Sequence, residues 1–128
     1  MITGMEHVGL CATDTTALKN WYVNLFGWAV VYDNAKSPSS YFLRMAEGQL
    51  LEIYPAQKPG LIAEHNFVSG WRHIALGTDD VAADAEKIIA AGATVESAVK
   101  ITESGVGTFF FRDPEGNVVH LIQRRQPL

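Results

Sequence analysis

The chain has 128 residues, 48% of them hydrophobic, with a net charge of −4. That suits one globular domain, and with no basic block it argues against non-specific nucleic-acid binding. No run approaches the roughly 18 apolar residues of a membrane span, and Met1-Ile2-Thr3-Gly4 lacks the charged and apolar regions of a signal peptide. Cys11 is the only cysteine, so an internal disulfide is excluded and a reducing, cytoplasmic setting is expected.

Residues 5–12 are short and apolar and predict a strand. Asp14-Thr15-Thr16 supplies N-cap chemistry. Leu18, Tyr22, Leu25 and Phe26 then recur at helical spacing, and Gly27 suits the stop. Trp21, Tyr22 and Phe26 are expected to pack the helix onto the core. Residues 28–33 predict a second strand, and Asn34 to Ser40, with Pro38, a loop. Tyr41 to Met45 predicts the third strand. Glu47-Gly48 turns into a fourth over residues 49–54.

The order then repeats. Strand 72–78 leads into the cap Asp79-Asp80, a helix marked by Val81, Ala85, Ile88 and Ile89, and a stop at Gly92. Strands follow at 94–100 and at Gly107 to Arg112. Asp113-Pro114-Glu115-Gly116-Asn117 is a turn signal, because proline presets φ and glycine accepts positive φ. Residues 118–124 complete the copy. Each half reads β-α-β-β-β. The expected organisation is a single domain over 1–128, with module one at 1–54, a proline- and glycine-bearing linker at 55–70 and module two at 71–128. The fold class is α+β, two paired βαβββ modules forming a curved mixed sheet around a metal-binding cavity. Each half alone, at about 60 residues, would be only marginally stable.

The two copies share internal arithmetic. His7 lies 20 residues before Gly27, and His73 lies 19 before Gly92. Glu52 follows His7 by 45 residues, and His120 follows His73 by 47. Strand side chains alternate faces, so His7, Gly9 and Cys11 share one, as do Leu50, Glu52 and Tyr54, then Trp71, His73 and Ala75, then Val118, His120 and Ile122. These positions sit in apolar strands, where a glutamate is costly to bury unless it is paired or bound to a metal. A single strand histidine is more often a core or interface residue than a ligand. The recurrence in both halves favours one metal site shared by the two. His7, Glu52, His73 and His120 are its candidate ligands. Three imidazoles and one carboxylate suit one divalent ion: zinc, nickel, iron, cobalt or manganese. His65, in the linker, has no counterpart and is expected to face solvent.

Other candidates carry less. Cys11 shares the His7 face, though a small buried thiol is the commoner role. Phe109-Phe110-Phe111 is expected to place at least one ring in the core, and Phe110 is a candidate pocket wall. Arg44 and Arg112 are candidates to hold a substrate carboxylate, against the commoner role of solvated surface arginine. No glycine-rich phosphate loop, serine nucleophile elbow or paired CxxC is present, which argues against nucleotide-cofactor chemistry.

Glu6-His7-Val8-Gly9-Leu10, Trp21-Tyr22 with Leu25-Phe26-Gly27-Trp28, Leu51-Glu52-Ile53-Tyr54 and Phe111-Arg112-Asp113-Pro114-Glu115-Gly116-Asn117 resemble the vicinal oxygen chelate superfamily. It includes glyoxalase I, methylmalonyl-CoA epimerase, extradiol dioxygenases and fosfomycin- and bleomycin-resistance proteins. The resemblance covers nearly the whole chain. It implies that His7, Glu52 and His73 match the first three ligands. At the fourth, glyoxalase I and the extradiol dioxygenases have a carboxylate where this chain has His120. The implied function is a metal-dependent glyoxalase-like lyase or isomerase acting on a small molecule with adjacent oxygens, through an enediolate-like intermediate. Glu52 or His120 would be the general base. The alternatives are a small-molecule binding or resistance protein without chemistry, and a dioxygenase. Unpaired sheet edges and the resemblance both imply a homodimer.

Overall fold

The computed structural model describes residues 1–60, 67 and 69–128. They fall into two compact units, residues 1–60 and 61–128. The expectation for His65, and part of that for the linker, lies outside the described residues.

In the first unit β1 spans His7–Ala12, α1 Thr15–Phe26, β2 Ala29–Asp33, β3 Tyr41–Arg44 and β4 Leu50–Pro55. The helix begins where expected. Asp14 is its N-cap, and its Oδ1 accepts the Ala17 amide at 2.8 Å, satisfying one of the free first-turn donors. It ends on Gly27 at φ 69°, whose amide donates to Val23 O at 2.9 Å; only glycine takes that left-handed conformation without strain. The sheet order is β1-β4-β3-β2. β1 pairs with β4 in parallel, while β2, β3 and β4 form an antiparallel meander. The crossover through α1 carries the chain to the far edge, and the meander returns it to β1.

One face of this sheet is covered by α1. Leu18 and Tyr22 from the helix are buried with Tyr41, Leu43, Leu51 and Ile53 from the strands. Tyr22 also stacks on Trp28, centroids 5.2 Å apart and planes 6° from parallel. The alternate strand residues therefore point to the other face, which the helix leaves open.

The second unit repeats the plan with β5 His73–Gly77, α2 Val81–Ala90, β6 Thr94–Ile101, β7 Gly107–Arg112 and β8 Val118–Gln123. Asp80 caps α2, its Oδ1 accepting the Ala83 amide at 3.0 Å. The sheet order is β5-β8-β7-β6, again with the first and last strands parallel. Val81, Ala85 and Ile88 are buried against Phe109, Phe111, Val119 and Leu121. At Gly107 a Cβ would stand 2.6 Å from Val81 Cγ1, so the close approach of α2 to β7 requires glycine there.

The expected α+β class with two βαβββ modules is thus what the chain adopts, as two four-stranded mixed sheets, one in each unit. Observed strand ends differ from the expected ones by a residue or two, as ends commonly do. α2 closes on Ala91, with Gly92 beyond it at φ 83°. The outer strands β2 and β6 break register after Val30, Val95 and Ser97, irregularities that period-two alternation does not reveal. Among the described residues no helix is long and apolar enough to cross a membrane.

Candidate functional site

The candidate ligands occupy the open faces, two in each unit. Glu52 is the middle member of a rung: Gly9 is its register partner on β1 and Phe42 its partner on β3. His7, one alternation before Gly9, sends Nε2 to within 3.4 Å of Glu52 Oε2. The second unit has the same rung, with Ala75, His120 and Phe110 in the three places. His73 stands as His7 does, its ring centroid 5.3 Å from that of His120. The parallel pairing of first and last strand is what joins residues so distant in sequence.

The small member of the first rung has a steric reason. A Cβ on Gly9 would lie 3.6 Å from Glu52 Oε2 and 3.3 Å from Tyr54 Cε1. Gly9 therefore leaves room beside Glu52 and Tyr54.

Electrostatics differ between the pairs. Glu6 accepts a hydrogen bond from His7 Nδ1. That bond, with the smaller pull of the Glu52 carboxylate, raises His7 above its ordinary 6.5. His120 moves the other way: burial, then the positive potential of His73 and Arg124, holds it below 6.5. His120 is consequently neutral at neutral pH, and its Nε2 is buried with no hydrogen-bond partner among the described residues. A buried ring nitrogen without a partner is costly, and a hydrogen-bonding partner or a metal ion at Nε2 would relieve that cost. Imidazole nitrogens beside a single carboxylate are a donor set that suits a divalent transition metal. The residues present therefore fit the ion that the sequence implies. Donors come two to a unit; among the described residues no three His, Cys, Asp or Glu side chains gather into one cage.

Glu52 lines a groove of about 560 Å³ together with Glu6, Val31, Tyr32, Ser40 and Phe42. The remaining candidates are placed as follows. Cys11 is exposed on the His7 face, opposite Tyr54. Arg44 is exposed at the end of β3. Arg112 is occupied locally: its Nε donates to Glu96 at 2.7 Å and its Nη1 to Gly116 O at 2.9 Å, which ties β6 to the turn after β7. Phe109 and Phe111 are fully buried and stack at 5.5 Å, while Phe110 faces the histidines. Sequence reasoning missed Phe42, Tyr32 and Glu6. A signal for Phe42 existed: it stands ten residues before Glu52, as Phe110 stands ten before His120.

A family model described as the Glyoxalase/Bleomycin resistance protein/Dioxygenase superfamily matches residues 4–121. A probable lactoylglutathione lyase of Vibrio parahaemolyticus serotype O3:K6 is 27% identical over 128 residues, covering 94% of this chain and 90% of that protein. The crystal structure of a glyoxalase family protein from Enterococcus faecalis is similar at a TM-score of 0.76, with 22% identity over 94% of this chain and 97% of that one. So is the fosfomycin resistance protein FosX of Listeria monocytogenes, complexed with Mn(II) and 1S,2S-dihydroxypropylphosphonic acid, at a TM-score of 0.74, with 20% identity over 94% of this chain and 90% of that one. With the repeated modules and motifs, these matches establish that the chain belongs to the glyoxalase, bleomycin resistance protein and dioxygenase superfamily, the vicinal oxygen chelate group that its motifs resemble.

Proposed function

We propose that the protein is a metal-dependent lyase or isomerase of the glyoxalase-like kind, acting on a small molecule with adjacent oxygens. The proposed ligands of its divalent ion are His7, Glu52, His73 and His120. One observation carries the reading: the same two positions of both modules bear metal-type donors, and one of them, the buried His120 Nε2, has no hydrogen-bond partner among the described residues. The Vibrio relatives named as probable lactoylglutathione lyases support the reaction class, and the Mn(II) in FosX supports the ion.

A bound ion would polarise the substrate's paired oxygens and acidify the adjacent C–H. The chain's own residues divide the remaining work. His120, whose pKa its surroundings lower, would serve as a ligand through one ring nitrogen; a nitrogen used as a ligand cannot also accept the substrate proton. Glu52 has two oxygens. One can stay beside His7 while the other takes the proton, so Glu52 is the general base. Tyr32 and Phe42 line the groove next to it and offer a substrate an aromatic surface.

The same aromatic groove favours a second reading, retention of a small molecule without chemistry. Elemental analysis of protein purified without chelators separates the two. We expect one ion per chain and its loss in His73→Ala. Absence of stoichiometric metal, or metal retained in a His7→Ala, His73→Ala double variant, overturns the enzymatic reading. A screen of hemithioacetals, epimerisable thioesters and catechols then finds the substrate. We also propose a homodimer, on the support of β2, an outer strand with Val30, Val31 and Tyr32 exposed. Sedimentation as a monomer at micromolar concentration refutes it.

A further inference from the structure

Both donor pairs are framed by a phenylalanine in the same place. Phe42, beside Glu52 in the rung, meets the His7 ring edge-on, centroids 5.5 Å apart at 79°. Phe110, beside His120, meets His73 edge-on at 5.5 Å and 84°. It also lies flat against His120, at 4.0 Å and 7°. Neither ring belongs to the helix-side core. Their strand neighbours Tyr41, Leu43, Phe109 and Phe111 point there and are buried, whereas Phe42 and Phe110 are half-buried on the open face. Core packing therefore does not account for a large aromatic at these places.

A histidine ring turns in a broad torsional well about its outer side-chain bond, so a strand by itself does not set the imidazole plane. A ring edge against its face, or a ring face against its face, restricts that rotation. His120 has no hydrogen-bond partner for Nε2 among the described residues to set its plane instead. The flat stack supplies the missing constraint.

We infer that Phe42 and Phe110 are positioning residues that set the imidazole planes of His7, His73 and His120 before the ion arrives. Phe110 acts on the ligands rather than as a wall for substrate. As an account of metal affinity, the inference rests on the ligand set proposed above. Ligands already oriented lose less freedom on binding, which raises affinity.

The test uses metal-free and Co(II)-titrated protein, wild type and the variants Phe110→Leu, Phe110→Tyr and Phe42→Leu. In the metal-free state, carbon relaxation of the His120 ring reports its mobility, and urea unfolding reports the fold. Phe110→Leu is expected to unfold cooperatively, to loosen the His120 ring and to weaken Co(II) binding roughly tenfold to a hundredfold, the range for outer partners of metal ligands. Phe110→Tyr keeps the ring and is expected to restore both. A rigid His120 ring with unchanged Co(II) affinity in Phe110→Leu overturns the inference. If wild type takes up no Co(II), the metal reading falls, and the ring mobility still decides whether Phe110 fixes the imidazole. Should Phe110→Leu not fold, Phe42→Leu puts the same question to the His7 ring, with the same two outcomes.

Discussion

His7 Nε2 stands 3.4 Å from Glu52 Oε2 across the parallel pair of β1 and β4. The contact joins an imidazole and a carboxylate 45 residues apart in sequence. It leaves the other Glu52 oxygen free of His7, which is the arrangement a residue needs to hold an ion and still accept a proton.

Glu52→Gln follows from this. The side chain is partly exposed on the open face and lies outside the core of Leu43, Leu51 and Ile53, so the fold is expected to survive. The amide keeps a donor oxygen but is no base. Turnover is expected to fall by roughly a hundredfold or more, with much of the metal retained. Parallel assays of turnover and bound metal check it. Full turnover in the variant moves the base to His120.

His120→Glu tests the departure at the fourth position. Arg124 already contributes positive potential at the site, part of what holds His120 below its ordinary value. A carboxylate there is therefore accommodated electrostatically. The variant is expected to keep its metal and to create or raise turnover of a hemithioacetal. Unaltered activity with metal in place would count against His120 as the feature that separates this chain from glyoxalase I.

Asp84 supplies an acid-sensitive contribution to stability. The Thr78 hydroxyl donates to its Oδ2 at 2.6 Å, and Lys87 Nζ lies 3.0 Å from Oδ1. Both, Thr78 foremost, lower Asp84 below its ordinary 3.8. A carboxyl lowered on folding stabilises above its unfolded value and loses that stabilisation as pH falls through the folded one. Asp84→Asn should thus be less stable than wild type at pH 7, with the gap closing below 3.8. Urea midpoints across that range decide it; a gap independent of pH defeats the explanation.

Asp113 organises the turn between β7 and β8. It is 5% exposed, and its carboxylate accepts the amides of Glu115 and Asn117 and both bonds from Asn117 Nδ2. Asp113→Ala leaves these donors unpaired and is expected to cost about 2–4 kcal/mol. Chemical denaturation measures it. A loss below about 0.5 kcal/mol, the range of neutral surface changes, would mean that water replaces the carboxylate.

Gly107→Ala probes the seat of α2. The added methyl meets Val81 Cγ1 at 2.6 Å, and Val81 is fully buried, so strand or helix has to shift. Overpacking of this kind costs about 1–3 kcal/mol. Equal unfolding midpoints for variant and wild type would show that the helix start yields freely.

Local patterning made much of this protein legible. Asp14, Gly27 and Asp80 mark helix ends through chemistry confined to one turn. Asp113 to Asn117 encodes its own turn. Strand alternation separates Leu51 and Ile53 from Glu52, and Val119 and Leu121 from His120, so both core and donor face can be read before any pairing is known. The repeat, read twice, singles out the four candidate donors.

What remained depended on contacts between residues far apart in the chain. Period-two alternation assigns a face but names no cross-strand neighbour. Only the register of β1 on β4 brings His7 to Glu52, and only that of β7 on β8 lays Phe110 on His120. The same holds for Arg112, by sequence either a candidate for a substrate carboxylate or a solvated surface arginine, to which β6 delivers Glu96. The burial of His120 Nε2 likewise depends on packing in three dimensions and helps hold that imidazole below its ordinary value, whereas Glu6, next to His7 in the chain, acts locally. Sequence by itself determined which residues face which way. Tertiary structure decided which of them meet, because strand register is a property of two segments at once and no single segment contains it.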